Sequence, residues 1–204
     1  ILFQYSLLER LNNTTRNGRA HELFMDFKEE LKVKLEQLSL SCLYDMNEAK
    51  WQFVCSLFCG LEKADQLADL VYKAKVQPLI FRCLSKTSNI PFNSAIDAIV
   101  QEIGEWPELE TVYKTFSTSD YHEKFVIGSI WRPLAEAICE RTDIFSPTHQ
   151  ERFHDSYLAL CKLIDFVEHN VLKSHDGLQM FRAIPSVVKL RTEWQFNVYF
   201  QLLF

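Results

Sequence analysis

Apolar residues recur at spacings of three and four along nearly the whole chain, and few residues interrupt them. In "HELFMDFKEELKVKLEQLSL", Leu23, Phe24, Phe27, Leu31, Leu35 and Leu38 fall on one helical face. No segment alternates apolar and polar residues over the length of a strand. The two residues that most often break helices are scarce, with 5 glycines and 6 prolines in 204 residues. This patterning predicts an all-α chain of roughly eight or nine helices, an elongated multi-helix bundle or rod. Its length suits one domain spanning residues 1–204, with sub-bundles at 1–90 and 91–204 as a possible division.

The punctuation of the stripes places the helix ends. Asp45 and Asn47 are candidate N-caps for a helix carrying Trp51, Val54, Cys55, Phe58 and Leu61. After Gly60 the stripe resumes with Ala64, Leu67, Ala68, Val71 and Ala74, and Pro78 must kink or end it. Ser94 with Asp97 resembles a capping box, and Gly104 is a natural stop. Pro107 opens a short helix that buries Leu109, Val112 and Phe116. "STSD" then caps a helix through Phe125, Val126, Trp131, Leu134 and Ile138, which Gly128 and Pro133 should bend or divide. Ser146 and Pro147 suit the start of another, striped with Phe153, Tyr157, Leu160, Cys161, Ile164 and Val167 or Val171. "LKSHDG" reads as a loop, and Pro185 marks a break after a short helix near "LQMFRA".

Both ends are apolar: the chain opens on "ILFQYSLLERL" without an initiator methionine and closes on "WQFNVYFQLLF". Such ends either dock into the core or belong to a piece of a longer protein, and two of them together favour the piece. The net charge of −5 and the lack of an unmatched basic cluster argue against a nucleic-acid binder. No apolar run reaches the ~18 residues of a membrane span. Cys42, Cys55, Cys59, Cys83, Cys139 and Cys161 lie in helical patterns, which predicts reduced thiols and a cytosolic setting.

Candidate chemistry reads as structural. His149 and His154 are five apart, not the four that would align two ligands on one helical face. Cys55 and Cys59 share a face with Trp51 and Phe58 and lack a second ligand pair at zinc spacing. The acid pairs Glu29 and Glu30, and Glu108 and Glu110, read as solvated helix faces. Phosphate-binding glycine loops and a nucleophile elbow are absent from the sequence. The expectation is therefore no catalytic, cofactor-binding or metal-binding residue, and no enzyme. Trp194, Tyr199 and Phe200 are either core or partner-facing, and periodicity leaves both readings open.

Two stretches carry a resemblance. In "FVIGSIWRPLAEAICERTDIFSPTHQERFHDSYLALCKLIDFVE" the marks are Phe125, Ser129 and Trp131, then Phe145 and Pro147, then Phe153, His154 and Tyr157, and finally Asp165, Phe166 and Val167. In "FRAIPSVVKLRTEWQFNVYFQLLF" they are Arg182, Ala183, Pro185, Trp194, Val198, Tyr199, Phe200, Gln201 and Phe204. A weaker match is "ADQLADLVYKAKVQPLI", and the first fifty residues agree only in pattern. Together these resemble the middle region of the second-subunit family of the conserved oligomeric Golgi complex. The resemblance implies a helical-rod, non-catalytic subunit of a vesicle-tethering complex on the cytosolic face of the Golgi. Its work would be retrograde intra-Golgi transport, Golgi organisation and correct placement of glycosylation enzymes. Sister subunits are the implied partners, with SNAREs, small GTPases and coiled-coil tethers as further ones. The alternatives are a subunit of another helical-rod tether, exocyst-like, and an all-α enzyme.

Overall fold

The structure is a computed structural model that describes residues 18–45, 47–61, 63–85, 89–116, 121–172 and 174–203. Among these residues every regular element is helical and none is a strand. The expected cap in the segment 117–120 and the opening stretch 1–17 lie outside the described residues.

The chain begins with α1 (Gly18–Asp45), followed by α2 (Glu48–Gly60). Asn47 caps α2, its side chain accepting from the Lys50 amide at 3.0 Å. α3 (Ala64–Val71) runs through a π turn at Tyr72–Val76 into α4 (Gln77–Leu84). α5 (Phe92–Gly104) and α6 (Pro107–Phe116) follow. α7 (Tyr121–Val126) passes through a second π turn, Ile127–Trp131, into α8 (Arg132–Cys139). A 3₁₀ turn at Thr142–Phe145 leads to α9 (Gln150–Phe166), which ends in a third π turn at Val167–Val171. α10 (His175–Arg182), α11 (Pro185–Thr192) and α12 (Phe196–Leu203) complete the chain.

The first two π turns answer the same problem. Pro78 and Pro133 each occupy the second position of the helix that follows a π turn. A proline in an unbroken α-helix lacks the N–H for the ladder and collides with the carbonyl four residues back. Here the residue before each proline bonds five residues back instead, Gln77 to the Tyr72 carbonyl and Arg132 to the Ile127 carbonyl. The expected interruptions are thus changes of hydrogen-bond register, with helix on both sides. Within the second turn, buried Ser129 donates its hydroxyl to the Phe125 carbonyl at 2.7 Å.

Packing follows the apolar faces. α2 lies against α6, α3 against α7 and the second π turn, and α5 against α9, while the first two π turns touch each other. α11 packs on α8, and α12 on α9. One connected core runs from Leu35 to Trp194 and includes residues from both sides of position 90.

Two helix starts differ from expectation. α5 begins at Phe92 with Pro91 as its cap, so Ser94 is inside the helix and Asp97 pairs with Lys162 at 2.6 Å. A missing N–H is harmless at a helix start, and starting there buries Phe92. α9 begins at Gln150, with His149 as its cap, not at Pro147; buried Ile144 anchors the 3₁₀ turn before it, and Pro147 is itself buried. The Ser146 hydroxyl lies 3.0 Å from that of Thr148 and caps nothing.

Trp131 sits at the meeting point of these elements. It is fully buried, meets Phe181 edge-on at 4.8 Å and donates its indole N–H to the Ser186 hydroxyl at 3.0 Å. Trp131→Ala is expected to cost about 3–5 kcal/mol of stability, the usual cost of emptying a large aromatic site. Chemical denaturation checks this; a loss below about 1 kcal/mol, ordinary for a surface change, would show the site is not a core anchor.

Candidate interaction surface

The face formed by α9 and α12 gathers seven aromatic residues, Phe145, Phe153, Tyr157, Trp194, Phe196, Tyr199 and Phe200. Helical spacing places Phe153 and Tyr157 on one side of α9. Trp194 fits over them, with ring centres 5.1 Å from Phe153, 5.3 Å from Tyr157 and 5.0 Å from Phe145. Its indole N–H is satisfied by the Leu190 carbonyl at 2.8 Å. Trp194 is therefore core. Tyr199 stacks on Phe153 at 4.9 Å and is half-buried, whereas Phe200 is 52% exposed.

α12 contains no buried residue. Val198, Phe200, Leu202 and Leu203 all face outward, and only Phe196 and Tyr199 reach the core. The Gln150 side chain ties the helix down by donating to the Leu202 carbonyl at 2.6 Å. The result is an apolar helical face whose inner side is anchored and whose outer side is open among the described residues.

Two buried carboxylates lock helices of the chain's second half to one another. Glu168, in the third π turn, has a side chain only 2% exposed. Arg182 of α10 holds it with two hydrogen bonds, at 3.0 and 2.7 Å, and Arg191 of α11 adds one at 2.7 Å. Hydrogen bonding to Arg182 holds the Glu168 carboxyl below the usual carboxylate range, outweighing burial, with both arginine charges acting the same way. Glu123 of α7 accepts from the Ser174 hydroxyl, which also caps α10 by accepting from the Gly177 amide at 2.9 Å. Glycine at 177 makes room for this pairing: a Cβ there would lie 2.5 Å from Glu123 Cγ and 2.8 Å from Ser174 Oγ, so a larger residue would displace those side chains.

Sequence reasoning missed both locks. Within the stretch expected as a loop, Ser174 is an N-cap and His175 to Gly177 already open α10; the serine, a favoured capping residue, is the signal that was available. The Glu168 pairings span 14 and 23 residues and have no local signature.

The residues weighed for chemistry are dispersed. His149 and His154 are exposed, and His154 faces Asp155 at 3.8 Å. All six cysteines are free thiols; Cys55 is fully buried in the core that holds Trp51 and Phe58, and burial pushes its thiol up to about 12. Glu29, Glu30 and Glu110 are exposed, paired along their helices with Lys32, Lys34 and Lys114. Glu108 is a correction: it is not on a solvated face but buried. There it binds Lys75 at 2.5 Å while its backbone carbonyl accepts from the Trp51 indole. The position at the start of α6 packs on α2, which is what draws the carboxylate inward. Asp165, Glu168 and His169 bring ligand atoms within 4.8 Å of one another. Both Glu168 oxygens already face guanidinium groups, whose charge would repel a cation, so this cluster reads as an ion-pair lock.

The depressed Glu168 carboxyl makes a pH prediction. Its stabilisation is present above the unfolded carboxylate range and is lost as pH falls through the lower folded value. Glu168→Gln should lower stability at neutral pH by on the order of 2 kcal/mol, and the gap from the unaltered chain should close in acid. Denaturation at several pH values checks this; a gap that stays constant into acid would show the lock is not ionic.

Among the described residues no helix is long and apolar enough to cross a membrane. Comparison with protein-family models, with curated proteins and with solved structures finds no match to this chain.

Proposed function

We propose that the chain is a non-catalytic helical segment of a Golgi vesicle-tethering subunit, working through its surfaces. The observation that carries this reading is α12, an apolar helix with no buried residue. Contiguous exposed apolar surface marks interaction sites in soluble proteins, and further helices are the natural cover for such a face. It lies in the most specific part of the resemblance to the second-subunit family of the conserved oligomeric Golgi complex. Among the other marks of that resemblance, Phe125, Ser129, Trp131, Phe153, Val167 and Trp194 are buried, while His154, Asp165, Arg182, Ala183 and Pro185 are exposed. In this reading the cover is supplied by sister subunits or by further helices of the same rod. SNAREs, small GTPases and coiled-coil tethers are further proposed partners, and the cytosolic face of the Golgi is the proposed location.

Replacing the endogenous protein in cells tests this. Phe200→Glu with Leu203→Glu should leave the isolated chain folded, reduce co-purification of the sister subunits several-fold and disturb cell-surface glycans. His154→Ala should leave assembly and glycans unchanged. If His154→Ala abolished function in a folded, assembled protein, an active-site reading would replace this one. If the double variant assembled normally, α12 would not be the assembly surface.

A further inference from the structure

A second surface lies on the opposite side of the paired π turns from their buried core residues. There α3 and the α7–α8 segment leave a groove of about 440 Å³. Its floor is Ala68 and Gly128, two small residues; a Cβ added at position 128 would meet that of Ala68 at 3.7 Å, an ordinary contact. Ile127, Ile184 and Met180 form an apolar margin, with Met180 43% exposed. Methionine in such a place adapts its shape to what it meets.

The charges are divided by sign. Asp65 and Asp69 stand on the α3 wall, one turn apart, while Lys124 and Arg132 stand on the α7–α8 wall. Lys124 lies 5.9 Å over the Tyr121 ring. Asp65, Asp69 and Arg132 make no ion pair among the described residues, although they line the same groove. Opposite charges held apart by a groove complement a ligand that carries both signs, and such complementarity sets specificity and orientation.

We propose that this groove docks one amphipathic helix of a protein partner. The helix has small and apolar side chains along its centre, basic residues on the flank facing Asp65 and Asp69, and acidic residues on the flank facing Arg132. A floor of alanine and glycine between two helices lets a third helix approach, and the helix-in-groove mode reads such a stripe at i, i+3, i+4 and i+7. This inference stands apart from the Golgi reading, since it rests on the groove alone.

Three synthetic helical peptides with one Leu/Ala stripe test it: one flanked by Lys on one side and Glu on the other, one by Lys on both, one by Glu on both. The mixed peptide should bind the chain about tenfold tighter than either single-sign peptide, equivalent to about 1.4 kcal/mol. Asp65→Lys with Asp69→Lys should turn the preference to the Glu-flanked peptide. Gly128→Gln should abolish binding, whereas Gly128→Ala should keep the fold by circular dichroism and retain most binding. The proposal is overturned if the three peptides bind alike or not at all, or if chemical-shift changes map to another face. It is equally overturned if sedimentation shows a dimer of this chain that Gly128→Gln dissolves, since the occupant would then be a second copy.

Discussion

Two prolines that cannot join an α-helical ladder set the geometry of this chain. Pro78 and Pro133 each follow a turn in which one hydrogen bond reaches back five residues instead of four. The two turns pack against each other, with Val76, Ile130 and Trp131 buried between and around them. The register changes at the two sites let both interrupted helices continue in one piece. From the second turn, Trp131 reaches Phe181 of α10 and Ser186 of α11, so the last third of the chain is organised around it.

Several of the helices are too short to persist alone. α10, α11 and α12 have 8 residues each, below the roughly 12–15 that make even a favourable isolated helix marginal in water. Their stability comes from the shared apolar core and from the buried carboxylates that staple them. Glu168 joins the third π turn to α10 and α11, and Glu123 joins α7 to the start of α10. A buried carboxylate is costly unless its oxygens are matched, and two arginines match those of Glu168.

The fold class was legible because apolar periodicity is a local property. The stripe through Ala64, Leu67, Ala68 and Val71, and that through Phe153, Leu160 and Ile164, are buried as read. Helix starts were less legible: where two capping signals competed Pro91 prevailed over Ser94, and α9 starts at Gln150, past the expected Pro147. The candidate surfaces were least legible. Nothing in "FNVYFQLL" distinguishes Tyr199, stacked on Phe153, from Phe200, which faces outward. Glu108 has the same sequence context as an exposed acid and is buried only because α6 packs on α2 beside Lys75. Such outcomes depend on which helices meet, and that is not encoded in either segment alone.

These features describe one scaffold that holds two outward surfaces, α12 and the Ala68–Gly128 groove, in fixed relation through a common core. That account requires the helices to unfold together. The four tryptophans report on it from separate places: Trp51 in α2, Trp106 before α6, Trp131 in the second π turn and Trp194 before α12. Urea unfolding followed in parallel by far-ultraviolet circular dichroism and by the fluorescence of variants retaining one tryptophan each, the others replaced by phenylalanine, is the direct measurement. The account predicts that within each variant the circular dichroism and fluorescence midpoints coincide. An early fluorescence transition for Trp131 or Trp194, while most of the helical signal remains, would contradict a single scaffold.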